Sequence, residues 1–325
     1  MFAINGTGRI GLCTARLIGE RNDIELVAIN STADVDTLIH LLSYDSIHRP
    51  SVSIKKVNDN TISIGSSKNV RVLSDRNIDN LDFGNAKCVI ECTGKFNSFD
   101  KSKAHLKGNI KKVVISAPAD NVPMYIYGIN HKSYRGEAIV SNASCTTNCL
   151  APLIQVLHNN FGVESGLMTT IHSYTNDQNV LDVKHKDLRR ARAAALNMIP
   201  TSTGAAKAIG KIFPELDGKL NGLAIRVPTP NVSLVDLSVR LKKKVSVESI
   251  NNAFLNAEKA NPNLIKNDLN KLVSSDFIGC KISSIFIPDK TIVIDDYNAK
   301  ILAWYDNELG YSSRLIDLSV YVSND

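Results

Sequence analysis

The segment Ser144-Cys145-Thr146-Thr147-Asn148-Cys149 places a thiol among hydroxyls. It follows a strand-like run, Ala138 to Ser141, and opens a helix whose apolar residues Leu150, Leu153, Ile154 and Leu157 share one face. Cys145 therefore stands where a strand ends and a helix begins. Helix N-terminal amides and the macrodipole favour an anion there, which lowers a thiol pKa. The hydroxyls of Ser144, Thr146 and Thr147 suit an oxyanion or a phosphate. The chemistry indicated is a nucleophilic thiolate beside an anion site.

Competing roles for the thiol are readily stated. A lone cysteine is commonly a small buried hydrophobe. A zinc site needs closely spaced ligands, and the chain has no Cys-x-x-Cys. A Cys145–Cys149 disulfide is disfavoured, because Cβ atoms four apart on a helix are about 5–6 Å apart, against the roughly 3.5–4.5 Å a disulfide needs. No metal is expected, and Cys149 is given a packing role. Pro152 must lie early in the helix or kink it.

A second reactive group is His172, delivered by the strand-like run Leu167 to Ile171; taken alone, it fits a structural histidine better than a catalyst. Residues 173 to 192 are polar and aperiodic, ending in Lys186-Asp187-Leu188-Arg189-Arg190-Ala191-Arg192. A loop this long inside a compact domain tends to be functional or to form an interface. Thr201-Ser202-Thr203-Gly204 precedes an Ala-rich helix and offers a second anion site.

The elements that position these groups begin at the N-terminus. Phe2 to Ile4 is a buried-type strand, followed by Asn5-Gly6-Thr7-Gly8-Arg9-Ile10-Gly11, a helix to about Glu20 and a second strand, Ile24 to Asn30. A G-x-G-x-x-G turn in a β-α-β unit lets the backbone approach a pyrophosphate. The second strand ends without the acidic residue that would hold the adenosine ribose of NAD, since Ile29-Asn30-Ser31-Thr32 precedes the first carboxylate, Asp34. Val52 to Leu73 reads as a hairpin-like insert. Further strands at Cys88 to Ile90 and Val113 to Ile115 end in Thr93-Gly94 and Ser116-Ala117-Pro118, where loops meet a ligand in such folds. From Val235 to Leu241 apolar residues alternate with polar ones, as in an antiparallel strand. Strands follow at Ile292 to Ile294 and Ile301 to Tyr305, then a docked helix with Tyr311, Leu315, Leu318 and Val322 on one stripe.

The fold class expected is an α/β Rossmann domain plus an α+β catalytic domain with a large, mainly antiparallel sheet. The boundaries are 1–145, with a C-terminal helix over 307–325 docking back, and 146–306. A chain of 325 residues suits two domains. The net charge of +6 suits anionic metabolites and points only weakly to nucleic acid, which is not an expected partner. Six scattered cysteines and the absence of a long apolar run lead to the expectation of a cytoplasmic protein with no membrane partner.

These segments, with Thr170-Ile171-His172-Ser173-Tyr174-Thr175, Ile199-Pro200-Thr201-Ser202-Thr203-Gly204, Arg226-Val227-Pro228-Thr229-Pro230-Asn231 and Trp304-Tyr305-Asp306-Asn307-Glu308, resemble the phosphorylating glyceraldehyde-3-phosphate dehydrogenase family over essentially the whole chain. The resemblance implies a homotetramer that oxidises glyceraldehyde-3-phosphate to 1,3-bisphosphoglycerate in glycolysis and gluconeogenesis. It implies that Cys145 attacks the aldehyde and that His172 lowers the thiol pKa and acts as base. Inorganic phosphate then cleaves the thioester. Ser144, Thr146, Thr203 and Gly204 match the site for the attacking phosphate. Thr175 and Arg190 match the site for the substrate's own phosphate, and Arg226 reaches both. Gly6, Gly8, Arg9 and Ile10 would hold the pyrophosphate, Arg76, Thr93 and Ser116 the riboses, and Asn307 the carboxamide.

Ser31 replaces the family's usual aspartate, and Lys184 replaces a usual proline. Ser31 and Thr32 could offer hydroxyls to the extra phosphate of NADP, with Lys184 adding charge. Asp34 could instead supply the missing carboxylate. NADP use, alone or alongside NAD, is expected. Two rivals stay open: an erythrose-4-phosphate dehydrogenase, in which water cleaves the thioester, and a non-enzymatic RNA- or partner-binding protein on the same fold.

Overall fold

Alternating strands and helices occupy the first part of the chain. The computed structural model describes residues 1–324, in two compact units: residues 1–144 with the segment from Ser312 onward, and Cys145–Tyr311. In the first unit β1 (Phe2–Asn5), α1 (Arg9–Gly19), β2 (Leu26–Asn30) and α2 (Val35–Ser43) come in order. They are followed by β3 (Ile54–Asn58), β4 (Thr61–Ile64), β5 (Ser67–Leu73), β6 (Cys88–Glu91), the one-turn α3 (Phe99–Ser102), β7 (Lys112–Ile115) and β8 (Ile139–Ser141).

The sheet order is β3-β4-β5-β2-β1-β6-β7-β8. From β5 to β8 every pairing is parallel, which gives the doubly wound Rossmann order with its switch point between β1 and β6. The hairpin-like insert expected over Val52 to Leu73 is only partly an insert. β3 and β4 form an antiparallel extension, whereas β5 joins the parallel sheet through β2. Runs of buried Val and Ile in β6 and β7 suit a sheet covered on both faces.

The second unit starts with α4 (Cys145–Phe161) and β9 (Val163–Ser173). It continues with β10 (Ile199–Ser202), α5 (Ala205–Ile212), β11 (Leu220–Val227), β12 (Ser233–Leu241) and α6 (Val247–Ala260). β13 (Ile265–Asn267), β14 (Ser284–Phe286), β15 (Ile292–Ile294) and β16 (Asn298–Tyr305) complete its sheet, and α7 (Leu309–Ser323) follows. The strand order is β10-β11-β9-β12-β16-β14-β13, with β15 on β16. Its neighbours are antiparallel except β11 with β9 and β14 with β13. Phe254 of α6 stacks on Phe286 of β14, with centroids 3.9 Å apart. Trp304 packs beside Phe277 in a small cluster with Val232 and Ile285.

α4 runs through Pro152, which lies near its middle rather than in the first turn. Proline there sacrifices one ladder bond at about 3 kcal/mol. Burial of Leu150, Leu153, Ile154 and Leu157 offsets this. In α7, Leu315, Leu318 and Val322 are buried in the first unit, and Tyr321 meets the rings of Tyr127 and Tyr134 edge-on. No helix among the described residues is long and apolar enough to cross a membrane.

Candidate active site

Cys145 is the first residue of α4, and the turn leading into it is tight: Ala143, two residues earlier, has φ 58°, in the left-handed region. β9 carries His172 near its C-terminal end, buried, and brings its Nε2 to 3.4 Å from Cys145 Sγ. β11 pairs in parallel with β9 so that Arg226 lies in register with His172. Arg226 Nη1 is 2.9 Å from His172 Nδ1 and donates to the Ser173 carbonyl at 3.1 Å. A thiol, an imidazole and a guanidinium thus converge from three elements.

The electrostatics assign the lowering of the thiol pKa to a group other than His172. Burial pushes the Cys145 thiol up, while the Arg226 charge and the hydroxyl and amide of Thr146 pull it down. Burial, then Arg226, holds His172 down at about 3, so the ring is neutral. The cation acting on the thiol is therefore Arg226 rather than an imidazolium. Nδ1 lies 2.7 Å from the Ser173 carbonyl oxygen. The tautomer that donates there leaves the Nε2 lone pair facing Sγ. Tyr305, which sequence reasoning passed over, braces this arrangement. Its hydroxyl lies 2.9 Å from Thr146 Oγ1 and 2.8 Å from Thr170 Oγ1, and its ring meets His172 edge-on.

Asn307 is tied to the same strand, since its Oδ1 accepts from Ser233 Oγ at 2.9 Å and that hydroxyl accepts from the Ser173 amide at 3.1 Å. Arg190 is held by Thr201 Oγ1, by the Ser202 carbonyl and by Asp177. Thr175 begins the turn that carries Asp177, its amide reaching Gln178 Oε1 at 3.3 Å. Thr203 is half-buried and Gly204 is exposed at the start of α5. Ser144 is half-buried and immediately precedes Cys145 in the chain.

In the first unit the glycine turn fits a dinucleotide. Gly6 has φ +100°, and a Cβ there would come within 2.8 Å of Thr93, while one on Gly11 would strike the Gly6 carbonyl oxygen at 2.0 Å. Gly8 caps α1 without a side-chain hydrogen bond, and the N-terminus of that helix suits an anion. Glu91, also absent from the sequence reading, fixes this corner: Oε1 accepts from the Thr93 amide at 2.7 Å, and Oε2 from Asn5 Nδ2 at 2.6 Å. Arg9 Nη1 bonds Asp45 at 2.8 Å rather than pointing out unpaired. Arg76 is exposed and Ser116 half-buried. Ser31 is buried rather than presented to solvent; its hydroxyl lies 2.8 Å from Thr7 Oγ1 and accepts from the Ala33 amide at 3.1 Å. All six cysteines are free thiols, Cys145 and Cys149 included.

A glycine turn of this geometry on a Rossmann sheet, with a thiol–imidazole pair in an α+β unit, defines the class: an NAD(P)-dependent oxidoreductase. Residues 1–99 match the family described as glyceraldehyde 3-phosphate dehydrogenase, NAD binding domain, and residues 144–307 match its C-terminal domain. The chain belongs to the glyceraldehyde 3-phosphate dehydrogenase family. It is 49% identical over 330 residues to glyceraldehyde-3-phosphate dehydrogenase 1 of Bacillus cereus, covering 99% of this chain and 98% of that one. Against the Geobacillus stearothermophilus enzyme it is 48% identical over 327 residues, covering 99% and 97%. It is 47% identical to the chloroplastic glyceraldehyde-3-phosphate dehydrogenase A of Zea mays, covering 99% of this chain and 82% of that one.

Proposed function

We propose that this chain oxidises glyceraldehyde-3-phosphate to 1,3-bisphosphoglycerate with NAD or NADP and inorganic phosphate, using Cys145 as nucleophile and His172 as base. The observation that carries the reading is the 3.4 Å approach of Cys145 Sγ to His172 Nε2 beside Arg226. As Sγ attacks the aldehyde carbon, Nε2 takes the thiol proton. The ring hands that proton to the carbonyl oxygen as the thiohemiacetal forms and, neutral again, takes it back from the hydroxyl as hydride leaves the carbon. A nicotinamide held with its carboxamide at Asn307 would supply the hydride acceptor. The thioester left on Cys145 is opened by inorganic phosphate, which releases the acyl phosphate and restores the thiol. A neutral imidazole suits this base role, and Arg226 offsets negative charge on sulfur and on oxygen.

Arg190 and Thr175 take the substrate's phosphate in this reading, Ser144, Thr146, Thr203 and Gly204 the attacking phosphate, and Arg226 serves both. A planar guanidinium binds phosphate oxygens bidentately. Gly6, Gly8, Arg9 and Ile10 hold the pyrophosphate, with Arg76, Thr93, Ser116 and Asn307 at the riboses and carboxamide. NADP use, alone or alongside NAD, is supported by the uncharged Ser31 after β2. Asp34 is a weak substitute for the missing carboxylate, since it caps α2 by accepting from the Thr37 amide and hydroxyl, each at 2.8 Å. A cytoplasmic homotetramer completes the proposal. Exposed Val180, Leu181, Val183, Leu188, Leu196 and Met198 on the loop after β9 support subunit contact.

The test is oxidation of glyceraldehyde-3-phosphate with NAD or NADP, each with and without inorganic phosphate. Phosphate-dependent reduction of either cofactor is expected. Phosphate-independent oxidation, with erythrose-4-phosphate the better substrate, would overturn the reading.

A further inference from the structure

Each nitrogen of the Arg190 guanidinium has a partner within the chain itself. Nε donates to Thr201 Oγ1 at 3.0 Å and lies 3.6 Å from Asp187 Oδ2. Nη2 donates to the Ser202 carbonyl at 3.3 Å, and Nη1 to Asp177 Oδ2. Thr201 is buried, and its hydroxyl donates to Asp187 at 2.6 Å, so that edge of the guanidinium is built in. Asp177 differs: its side chain is 53% exposed and rides on the turn that starts at Thr175. His185 Nε2 lies 3.8 Å from its other oxygen. Asp177 also acts through space on Arg226, as does Arg190, so the pair shares the electrostatics of the thiol site.

We propose that Asp177 is an internal counter-anion of the substrate-phosphate subsite: its carboxylate occupies the Nη1 edge of Arg190, and a phosphorylated aldehyde binds by displacing it. This rests on the assignment of Arg190 to that subsite. A phosphate monoester dianion offers more charge and more acceptor oxygens than the carboxylate, so exchange favours the substrate. An unphosphorylated aldehyde cannot make the exchange and meets a closed subsite. The device keeps Arg190 oriented while the site is empty and weakens the hold on phosphorylated substrates, which speeds release of a phosphorylated product.

The experiment compares kcat/KM for glyceraldehyde-3-phosphate and for glyceraldehyde in the wild type, Asp177→Asn, Arg190→Ala and the double variant. Removing the competing charge in Asp177→Asn should lower KM for glyceraldehyde-3-phosphate, with little change in kcat. The ratio of the two kcat/KM values should rise roughly two- to fivefold, the range of a partly exposed ion pair. The gain should shrink as salt is raised, and it should vanish in the Arg190→Ala background. Asp177→Ser, equally uncharged, replaces Asn if that variant does not fold. A higher KM in Asp177→Asn would make Asp177 a mere orienter of Arg190 and overturn the proposal, as would an unchanged ratio. If Arg190→Ala itself leaves the ratio intact, the subsite assignment fails instead.

Discussion

Arg226 Nη1 stands 2.9 Å from His172 Nδ1, and both nitrogens reach the same Ser173 carbonyl oxygen. Burial disfavours charge on the ring, and a fixed positive charge at that distance adds to it, so His172 stays neutral down to about pH 3. The charge also reaches Cys145, where it opposes the upward push of burial. In the unliganded protein, iodoacetamide labelling of Cys145 should rise with pH without a step near pH 6.5, where an ordinary histidine titrates at about that value. Arg226→Ala should move the labelling midpoint to higher pH, because the thiolate loses its cation. A labelling step at the histidine value would instead reveal an imidazolium paired with the thiolate.

Cys145→Ser should abolish dehydrogenase activity while leaving the fold and cofactor binding intact, since an alkoxide is far less accessible than a thiolate at neutral pH. His172→Asn removes a general base and should reduce turnover by about 10²–10⁴-fold. Single-turnover rates with glyceraldehyde-3-phosphate check both. Turnover near wild type in either variant would return that residue to a structural role.

Ser31→Asp should shift preference toward NAD by an order of magnitude or more, through repulsion of the extra phosphate of NADP. The buried contact of Ser31 with Thr7 makes a stability cost expected in the same variant. Kinetics with both cofactors in the wild type, Ser31→Asp and Lys184→Pro provide the measurement. A wild type indifferent to millimolar NADP would show that Ser31 does not confer its use.

Asp45 anchors the first unit by bonding Arg9 at 2.8 Å and Arg16 at 2.5 Å with a side chain 1% exposed. Burial alone would raise its pKa, but amides of Ile47 and His48 and the charge of Arg9 more than offset that, bringing it to about 2. Because the folded value is depressed, the stabilisation is complete above about pH 4 and is lost as pH falls through about 2. The shift corresponds to about 2 kcal/mol. Asp45→Asn leaves Arg16 buried without its counter-charge and should cost about 3 kcal/mol at neutral pH. In urea unfolding, the gap between variant and wild type should narrow from about pH 4 to about pH 2; a gap independent of pH would contradict the ion pair.

Cys145 and the glycines of the first turn were legible because their chemistry is local: a strand end, a helix start and small residues at fixed spacing. Arg226 was found by family resemblance, but its position against His172 depends on the parallel β11–β9 register, a pairing no short window of sequence reveals. Tyr305 and Asp177 escaped for the same reason, each acting through partners distant in the chain. Burial, too, is a tertiary quantity. The helix N-terminus argued for a lowered thiol, whereas enclosure of Cys145 pushes it up. α6 is capped reciprocally by Ser246 and Ser249, a fainter signal than the usual Glu or Gln at the third position.

The chain's single tryptophan, Trp304, stacks near Phe277 with ring centroids 6.2 Å apart in the second unit. Indole emission therefore reports the packing of that unit and is blind to the Rossmann sheet, which contains none. Far-UV circular dichroism records helices and strands in both. Coincident transitions by the two signals would show that the units melt as one cooperative block, whereas an early fluorescence change would isolate the catalytic half as the weaker one. The position of one indole thus turns an ordinary fluorimeter into a domain-selective probe of unfolding.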